Sequence, residues 1–426
     1  MSGPMTKSKT FDPPRDAAAR TLMRAFQDDA YVDRALRSEA SGLSSRDHGF
    51  ARALTYAAVQ RRATLAYWIG ELTGRSAAEL DDEVRVPLEI GLVQLAFMDR
   101  VPPHAAVGET VELAKRLSNR GGHRLVNAAL RRVTTHGLPE LPGDDTPAAA
   151  AITHSVPRWL AERWFEEYGP DEARALLRRI NEPAERAIRV NTLKATADEV
   201  REAIGVPTHG DEELPEAMIL EESVDLESTD LWNDGKIVAQ SRGAQLAARL
   251  LAPQPGERVL DLCAAPGGKT SHLAALMGGG KGLIAVEQHA GRAAALRRTL
   301  DRLGAGEATV VTGDALDPPA ALHGTIDAIL LDPPCAALGT LQRQPDVRWR
   351  VTAKGTEELA AGQRQMLEAA LPLLAPGGRL LYSVCSLGPA ESDEVFAAAG
   401  VTPTMRRSVV PHRDLTDGFE YALINA

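Results

Sequence analysis

The chain of 426 residues has no run of apolar residues approaching the 18 that a membrane-spanning helix requires. Its opening stretch, MSGPMTKSKTFDPPRD, lacks the apolar core of a secretory leader. These absences set the expectation of a cytoplasmic protein with no membrane partner. Cysteine is scarce, with three in the whole chain, which excludes a disulfide-stapled scaffold. No internal repeat is evident, and no metal site is expected. Basic residues are missing altogether between Asp211 and Asp230, where nine acids occur. That stretch carries nearly all of the formal net charge of −10 and leaves the rest of the chain at −1. An acidic insert of this kind reads as a solvated loop. The acidic total therefore does not exclude a nucleic-acid partner, because phosphate binding follows local potential.

What is present is the balance of a soluble globular chain, 44% hydrophobic and 25% charged, long enough for two or three domains. Residues 14–138 show apolar positions at three- and four-residue spacing, punctuated by Pro102-Pro103 and Gly121-Gly122, and predict an all-α domain over 1–140. Basic residues cluster there at Arg61-Arg62 and at Lys115, Arg116, Arg120, Arg124, Arg131 and Arg132. Further clusters stand at Arg292, Arg297 and Arg298, and at Arg343, Arg348 and Arg350. The segment 137–150, GLPELPGDDTPAAA, has linker composition. Residues 150–235 read as a small connecting module of two short helices, a strand at AIRVNTLK and the acidic stretch. From 236 to 426, short apolar strands alternate with helices, the pattern of an α/β domain. It predicts a parallel, doubly wound sheet with ligands at the carboxyl ends of its strands, a plan shared by class I (Rossmann-like) methyltransferases.

Five motifs fall at those strand ends. After VLDL come Cys263, Ala264, Ala265, Pro266, Gly267, Gly268 and Lys269, small residues that let a ligand approach the backbone at the start of a helix. Their spacing matches neither a phosphate loop nor GxGxxG. Glu287 closes the next strand, where a carboxylate can accept both ribose hydroxyls of a nucleoside cofactor. Asp314 follows the third strand, placed to accept from an adenine amino group. Each acid alone is weak evidence; the three motifs in succession point to an adenosyl ligand. Asp332-Pro333-Pro334-Cys335 closes the fourth strand. Enzymes that methylate exocyclic amines carry an aromatic residue where Cys335 stands. Tyr382-Ser383-Val384-Cys385-Ser386 closes the fifth.

All three cysteines thus lie at the expected ligand edge. A single cysteine in a strand is ordinarily a packing residue; three at one edge is a different matter. Strands four and five are neighbours in such sheets, which would put Cys335 and Cys385 across one pocket. Two thiols there have a use. Carbon 5 of cytosine becomes nucleophilic once a thiolate adds at carbon 6, and a second acid–base group must then help the carbon 5 proton and the thiolate leave. A cation such as Lys269 would favour the thiolate.

These residues resemble the RsmB/Sun-type RNA cytosine-5 methyltransferases. DLCAAPGGKTSHL, DPPCAALGTLQRQPDVRWR and YSVCS are similar to that family's cofactor loop, Pro-Cys motif and Thr-Cys motif, and RVNTLK and DGFEYALI fit its flanking elements. The helical start, with PPHAAVGETVELAK and LVNAALRR, resembles the NusB-like RNA-binding domain of the RsmB branch. The resemblance implies S-adenosyl-L-methionine as cofactor and a cytidine of small-subunit (16S) ribosomal RNA as target. Cys385 would be the nucleophile and Cys335 would assist proton removal and release. Residues Cys263 to Lys269 with Glu287, Asp314 and Asp332 would form the cofactor and base pocket, with Asp332 at the cytosine amidine edge. Val384, Ala336, Glu287 and Glu420 depart from the usual residues without removing a named catalytic group. Two alternatives stay open: cytosine-5 methylation of tRNA, and a non-catalytic NusB-like RNA-binding assembly factor. The oligomeric state is open too, a monomer being compatible with the sequence.

Overall fold

The computed structural model describes residues 12–28, 30–118 and 121–426. They form two compact units, one of Met1–Asn181 with Arg348–Arg350 and one of Glu182–Val347 with Val351–Ala426. None of the described helices is long and apolar enough to cross a membrane.

The first unit is helical throughout its described residues, with ten α-helices between Pro13 and Arg179. The helix His123–His136 shows why: Val126, Ala129, Leu130 and Val133 recur at three- and four-residue spacing and are buried. Arg124, Arg131 and Arg132 of the same helix face outward; Arg120 lies outside the described residues. The linker composition of 137–150 misleads in part. Pro139 accepts a hydrogen bond from the Trp68 indole at 2.9 Å, and a helix begins at Pro147 with Thr146 as its cap. The helices Arg158–Tyr168 and Pro170–Arg179, read from the sequence with the connecting module, pack in this unit, so the compact division falls at residue 181.

The second unit holds two sheets. The smaller one contains β1 (Ala187–Val190), β2 (Thr208–Gly210), β3 (Ala217–Leu220) and β4 (Ile237–Ala239), in the order β2-β3-β1-β4 and wholly antiparallel. The acidic stretch is therefore not one solvated loop, because β3 runs through it. Glu216, just before β3, is 3% exposed and accepts from Arg249 at 2.9 Å. Its other close partner is His272 Nε2, at 2.6 Å. Burial opposes its ionisation, but the hydrogen bonds of His272 and Arg249 outweigh that and hold Glu216 well below the ordinary carboxylate range.

Helix α1 (Arg242–Leu251) leads into the large sheet, whose elements follow as β5 (Val259–Leu262), α2 (Gly268–Leu276), β6 (Leu283–Glu287), α3 (Ala290–Arg302), β7 (Thr309–Thr312), β8 (Ile326–Leu331), α4 (Ala353–Ala370), β9 (Leu374–Val384), β10 (Met405–Val409) and β11 (Phe419–Asn425). Their order is β10-β11-β9-β8-β5-β6-β7. The five strands from β9 to β7 are parallel, as their apolar runs predict. The sheet as a whole is mixed, which corrects the expectation of a parallel one: β11 runs antiparallel to β9, and β10 to β11. The helix Asp393–Ala398 lies between β9 and β10, and residues 410–418 join β10 to the antiparallel β11. Glu420, one of the family departures, faces Val384 in the β11–β9 register.

Candidate active site

The parallel strands deliver their carboxyl ends to one edge, and a cavity of about 480 Å³ opens there. Cys263, Ala265, Glu287, Asp314, Asp332, Cys335 and Cys385 all line it. The sequence placed these residues at strand ends, and the sheet brings them together.

The loop after β5 begins with Cys263 in a left-handed conformation, φ 65°. Burial, and then the charges of Asp332, Asp261 and Glu287, push the Cys263 thiol up to about 12, so it stays a neutral wall residue. The Ala264 N–H donates to Val286 O at 2.9 Å and ties the loop to β6. Gly267 has φ +105°, and a Cβ there would meet Leu296 at 2.7 Å, so only glycine brings the turn this close to α3. Ala264, Pro266, Gly267, Gly268 and Lys269 shape the turn but are not wall residues of the cavity. Thr270 donates to Asp261 at 2.6 Å and to Ala264 O at 3.2 Å, pinning α2 beneath the loop.

Glu287 is 3% exposed at the end of β6. One of its oxygens accepts from the His289 N–H at 3.0 Å, and the other lies 3.4 Å from Arg292 Nη2. Asp314 accepts from the Leu316 N–H at 2.9 Å and from Gln288 at 3.1 Å. Gln288, His289 and Arg292 also line the cavity. Gln288 and His289 were not singled out in the sequence, and Arg292 was read only as part of a basic cluster.

The two thiols meet. Cys335 Sγ and Cys385 Sγ are 3.3 Å apart, as neighbouring β8 and β9 require. Cys335 rides on an irregular loop after β8. Cys385 follows directly on β9, and its carbonyl accepts from the Gly339 N–H at 3.0 Å. The hydrogen bond between the sulfurs, burial, and the charges of Cys385 and Glu391 push the Cys335 thiol well above its ordinary value. Lys269 does not point at a thiol as its direct partner. It pairs with Asp332 at 2.6 Å and stands 5.0 Å from the centre of the Phe419 ring. Burial acts to lower the Lys269 pKa, but Asp332 and the two thiols outweigh it and raise it above the ordinary lysine value. Its positive charge is thus retained beside both sulfurs.

Two acids of the site escaped sequence reasoning. Asp261 lies inside β5, 1% exposed, and burial pushes it up to about 7. An acid within the apolar run VLDL was its signal. Glu391 is 1% exposed, and nothing in GPAES marks it as different from a surface acid.

The basic clusters divide on inspection. Arg292 pairs with Glu287, Arg343 with Asp417 at 2.8 Å, and Arg297 donates to Val310 O at 2.8 Å. Arg348 is fully buried and donates to Ser155 O and Asn181 Oδ1, each at 3.0 Å. Arg348 is a structural cation, whereas Arg292 and Arg297 stay exposed despite these contacts.

Comparison with known proteins divides the chain into three segments, the middle one running across residue 181. Residues 248–408 match the model of the 16S rRNA methyltransferase RsmB/F family, residues 12–135 that of the NusB family, and residues 156–227 that of the ferredoxin-like domain of RsmF/B-like methyltransferases. The ribosomal RNA small subunit methyltransferase B of Pseudomonas putida is 32% identical, over 96% of this chain and 97% of its own length. The probable enzyme of the same name from Synechocystis is 35% identical, over 86% of this chain and 83% of its own. The crystal structure of PH0851 superposes with a TM-score of 0.80 at 26% identity, covering 98% of this chain and 100% of that one. The thiol pair, the strand-end acids and likeness across nearly the whole length agree, and the chain belongs to the ribosomal RNA small subunit methyltransferase B branch of the RsmB/F methyltransferases.

Proposed function

We propose that the protein methylates carbon 5 of a cytidine in small-subunit (16S) ribosomal RNA, with S-adenosyl-L-methionine as methyl donor and Cys385 as covalent nucleophile. The observation that carries this reading is the 3.3 Å separation of two thiols in the wall of a cavity that also holds Glu287, Asp314 and Asp332. Amine methylation needs no thiol.

The cavity fits the cofactor. Its volume is in the range of small-molecule sites. Glu287 offers acceptors for ribose hydroxyls and Asp314 for an adenine amino group. When bound, S-adenosyl-L-methionine supplies an electrophilic methyl group on a positively charged sulfur.

The residues divide the remaining work. Cys385, which follows directly on β9, is the thiol that attacks, and Cys335 on its loop acts after it. Lys269, charged beside both sulfurs, favours the Cys385 thiolate. Cys385 Sγ forms a bond to cytosine C6, and the C5–C6 electron pair moves onto C5, which takes the methyl group. Asp332 faces the amidine edge and accepts from its amino group, which orients the ring. Cys335, its own proton given up to solvent by this stage, takes the C5 proton; the C–H electron pair restores the C5–C6 double bond, and the S–C6 pair leaves with Cys385. The first unit supplies RNA affinity through phosphate contacts.

Bisulfite sequencing of total RNA from a deletion strain tests the assignment. One 16S cytidine should lose its protection and regain it when the gene is restored. Loss confined to tRNA would move the target, and no loss anywhere would refute the activity.

A further inference from the structure

Beneath the thiol pair one buried carboxylate reaches the residue that follows each cysteine. Glu391 sits in the short 3₁₀ turn Pro389–Glu391. One of its oxygens accepts from the Ala336 N–H at 2.8 Å, and the other accepts from the Ser386 hydroxyl. Ala336 follows Cys335, and Ser386 follows Cys385. Gln363 of α4 joins the network, donating to Glu391 at 2.8 Å and to Pro334 O at 2.9 Å. The Tyr382 hydroxyl closes it, donating to Gln363 Oε1 at 2.9 Å and to Glu391 O at 2.8 Å. Glu391, Gln363, Tyr382 and Ser386 are each at most 1% exposed.

Burying a carboxylate is costly, and the hydrogen bonds here offset that cost without making the group a cheap one. An apolar side chain could fill the same space. The distinctive feature is which groups the carboxylate joins. Residues 332–337 have no regular secondary structure, so no sheet ladder fixes the Cys335 sulfur. Cys385 is anchored by β9 on one side and by Gly339 through its carbonyl.

We propose that Glu391 is a positioning residue for the thiol pair: its single carboxylate ties the Cys335 loop to the Cys385 loop and so fixes the spacing over which the two sulfurs act in turn. The inference rests on the covalent reading above. It divides the two steps unequally. Without the tie Cys385 keeps its place on β9 and still attacks. Cys335 drifts on its loop, so proton removal and release slow down.

The test uses the full-length chain, with S-adenosyl-L-methionine and small-subunit rRNA from a deletion strain, in two independent readouts. Denaturing gels report the protein–RNA adduct. Mass spectrometry reports how fast the thiol oxidant diamide joins Cys335 to Cys385, a rate that depends on sulfur spacing and not on turnover. Glu391→Ala should cut turnover by up to about a hundredfold, the scale of an ångström's misplacement. It should accumulate adduct, as is expected of Cys335→Ala, and slow the cross-link about tenfold. Glu391→Gln keeps the oxygen that serves Ala336 and Gln363, and should restore most of both signals. Ser386→Ala cuts one tie only, should show the same effects at smaller size, and serves if Glu391→Ala does not fold. A folded Glu391→Ala with an unchanged cross-linking rate overturns the proposal, even if its melting temperature has fallen. A band for Cys335→Ala but not for Glu391→Ala overturns it while leaving the covalent reading intact. A band for neither refutes the covalent reading, and the cross-linking rate alone then decides the role of Glu391.

Discussion

The exposed face of the first unit and the site of the second use charge in opposite ways. In the first, Arg124, Arg131 and Arg132 stand exposed along one helix, where water weakens each interaction and any one of them can be replaced by its neighbours. In the second, Asp261 and Glu287 are at most 3% exposed, and Lys269 is held in a pair with Asp332. There a charge is expensive to bury, is worth far more once paired, and has no understudy. The contrast is between binding by a diffuse surface and chemistry at fixed atoms. It predicts a steep hierarchy of mutational effects, with the thiols at the top and the surface arginines at the bottom.

Cys385→Ala should have the largest effect. Loss of a covalent nucleophile should lower turnover by at least about a thousandfold, and the variant should form no RNA adduct. Cys335→Ala should still attack and methylate but fail to release, giving a slow-migrating protein–RNA band on denaturing gels. The band appearing for Cys385→Ala instead would reverse the two roles. Two destabilised proteins with no band in either would reduce both thiols to packing residues, and the contrast between the units would collapse.

Asp261 tests the stability cost of an acid buried in the site. Burial raises its folded pKa from the ordinary 3.8 to about 7. Between those values the unfolded chain has lost the proton and the folded chain still holds it. Stability from this group is therefore complete below pH 3.8 and falls as pH rises toward 7, by on the order of a few kcal/mol. Asp261→Asn is neutral at every pH and retains an oxygen for the Thr270 hydroxyl. Urea unfolding from pH 4 to 7 should show its stability rising relative to the parent protein across that window. Parallel curves for the two proteins would refute the shift.

Glu287→Ala should weaken S-adenosyl-L-methionine binding by about 1.5–3 kcal/mol, the scale of charge-assisted hydrogen bonds. Calorimetry showing an unchanged dissociation constant would remove Glu287 from the cofactor site.

The sheet and the meeting of the thiols were legible in the sequence because period and position carry them. VLDL, IAVE and AILL announce buried parallel strands, and residues at their ends must share an edge. Antiparallel β10 and β11 were not legible, since the parallel reading rested on helix-strand alternation and the last residues contain little helix. Glu216 and Glu391 were hidden for a different reason. Counting charges along the chain treats every acid alike, and only packing reveals that these two sit among donors from distant segments. The same limit applies to cations: Arg348 looks like a phosphate contact in RWR and is a buried cross-brace of the first unit. Lys269 was read as a helper of the thiolate, and the structure adds that its nearest polar partner is Asp332. Motifs located the site, whereas packing between distant segments sets the partners inside it.

The smallest effect belongs to the helical unit, and truncation is the wrong way to measure it. Deleting residues 1–140 would cut through a compact body that continues to Asn181. Ala63 donates to Ser155 at 2.9 Å and Thr64 to Ile152 O at 2.7 Å, so the cut would expose what those helices bury. Point changes on the exposed face avoid this. Arg124 and Arg131 are seven residues apart on the helix His123–His136 and so share a face. Replacing both by Ala removes two positive charges and little packing. If each neutralises one phosphate, RNA affinity should fall a few-fold to about tenfold at moderate salt, and the slope of log affinity against log salt should become shallower by about 0.7–0.9 per arginine. The effect should shrink as salt rises. Turnover at saturating RNA should not change, because neither side chain is in the cavity wall. Fluorescence anisotropy across a salt series, paired with single-turnover methylation, measures both. Lower turnover with unchanged affinity would mean that this face acts on the chemistry, and the division of labour between the units would then be wrong.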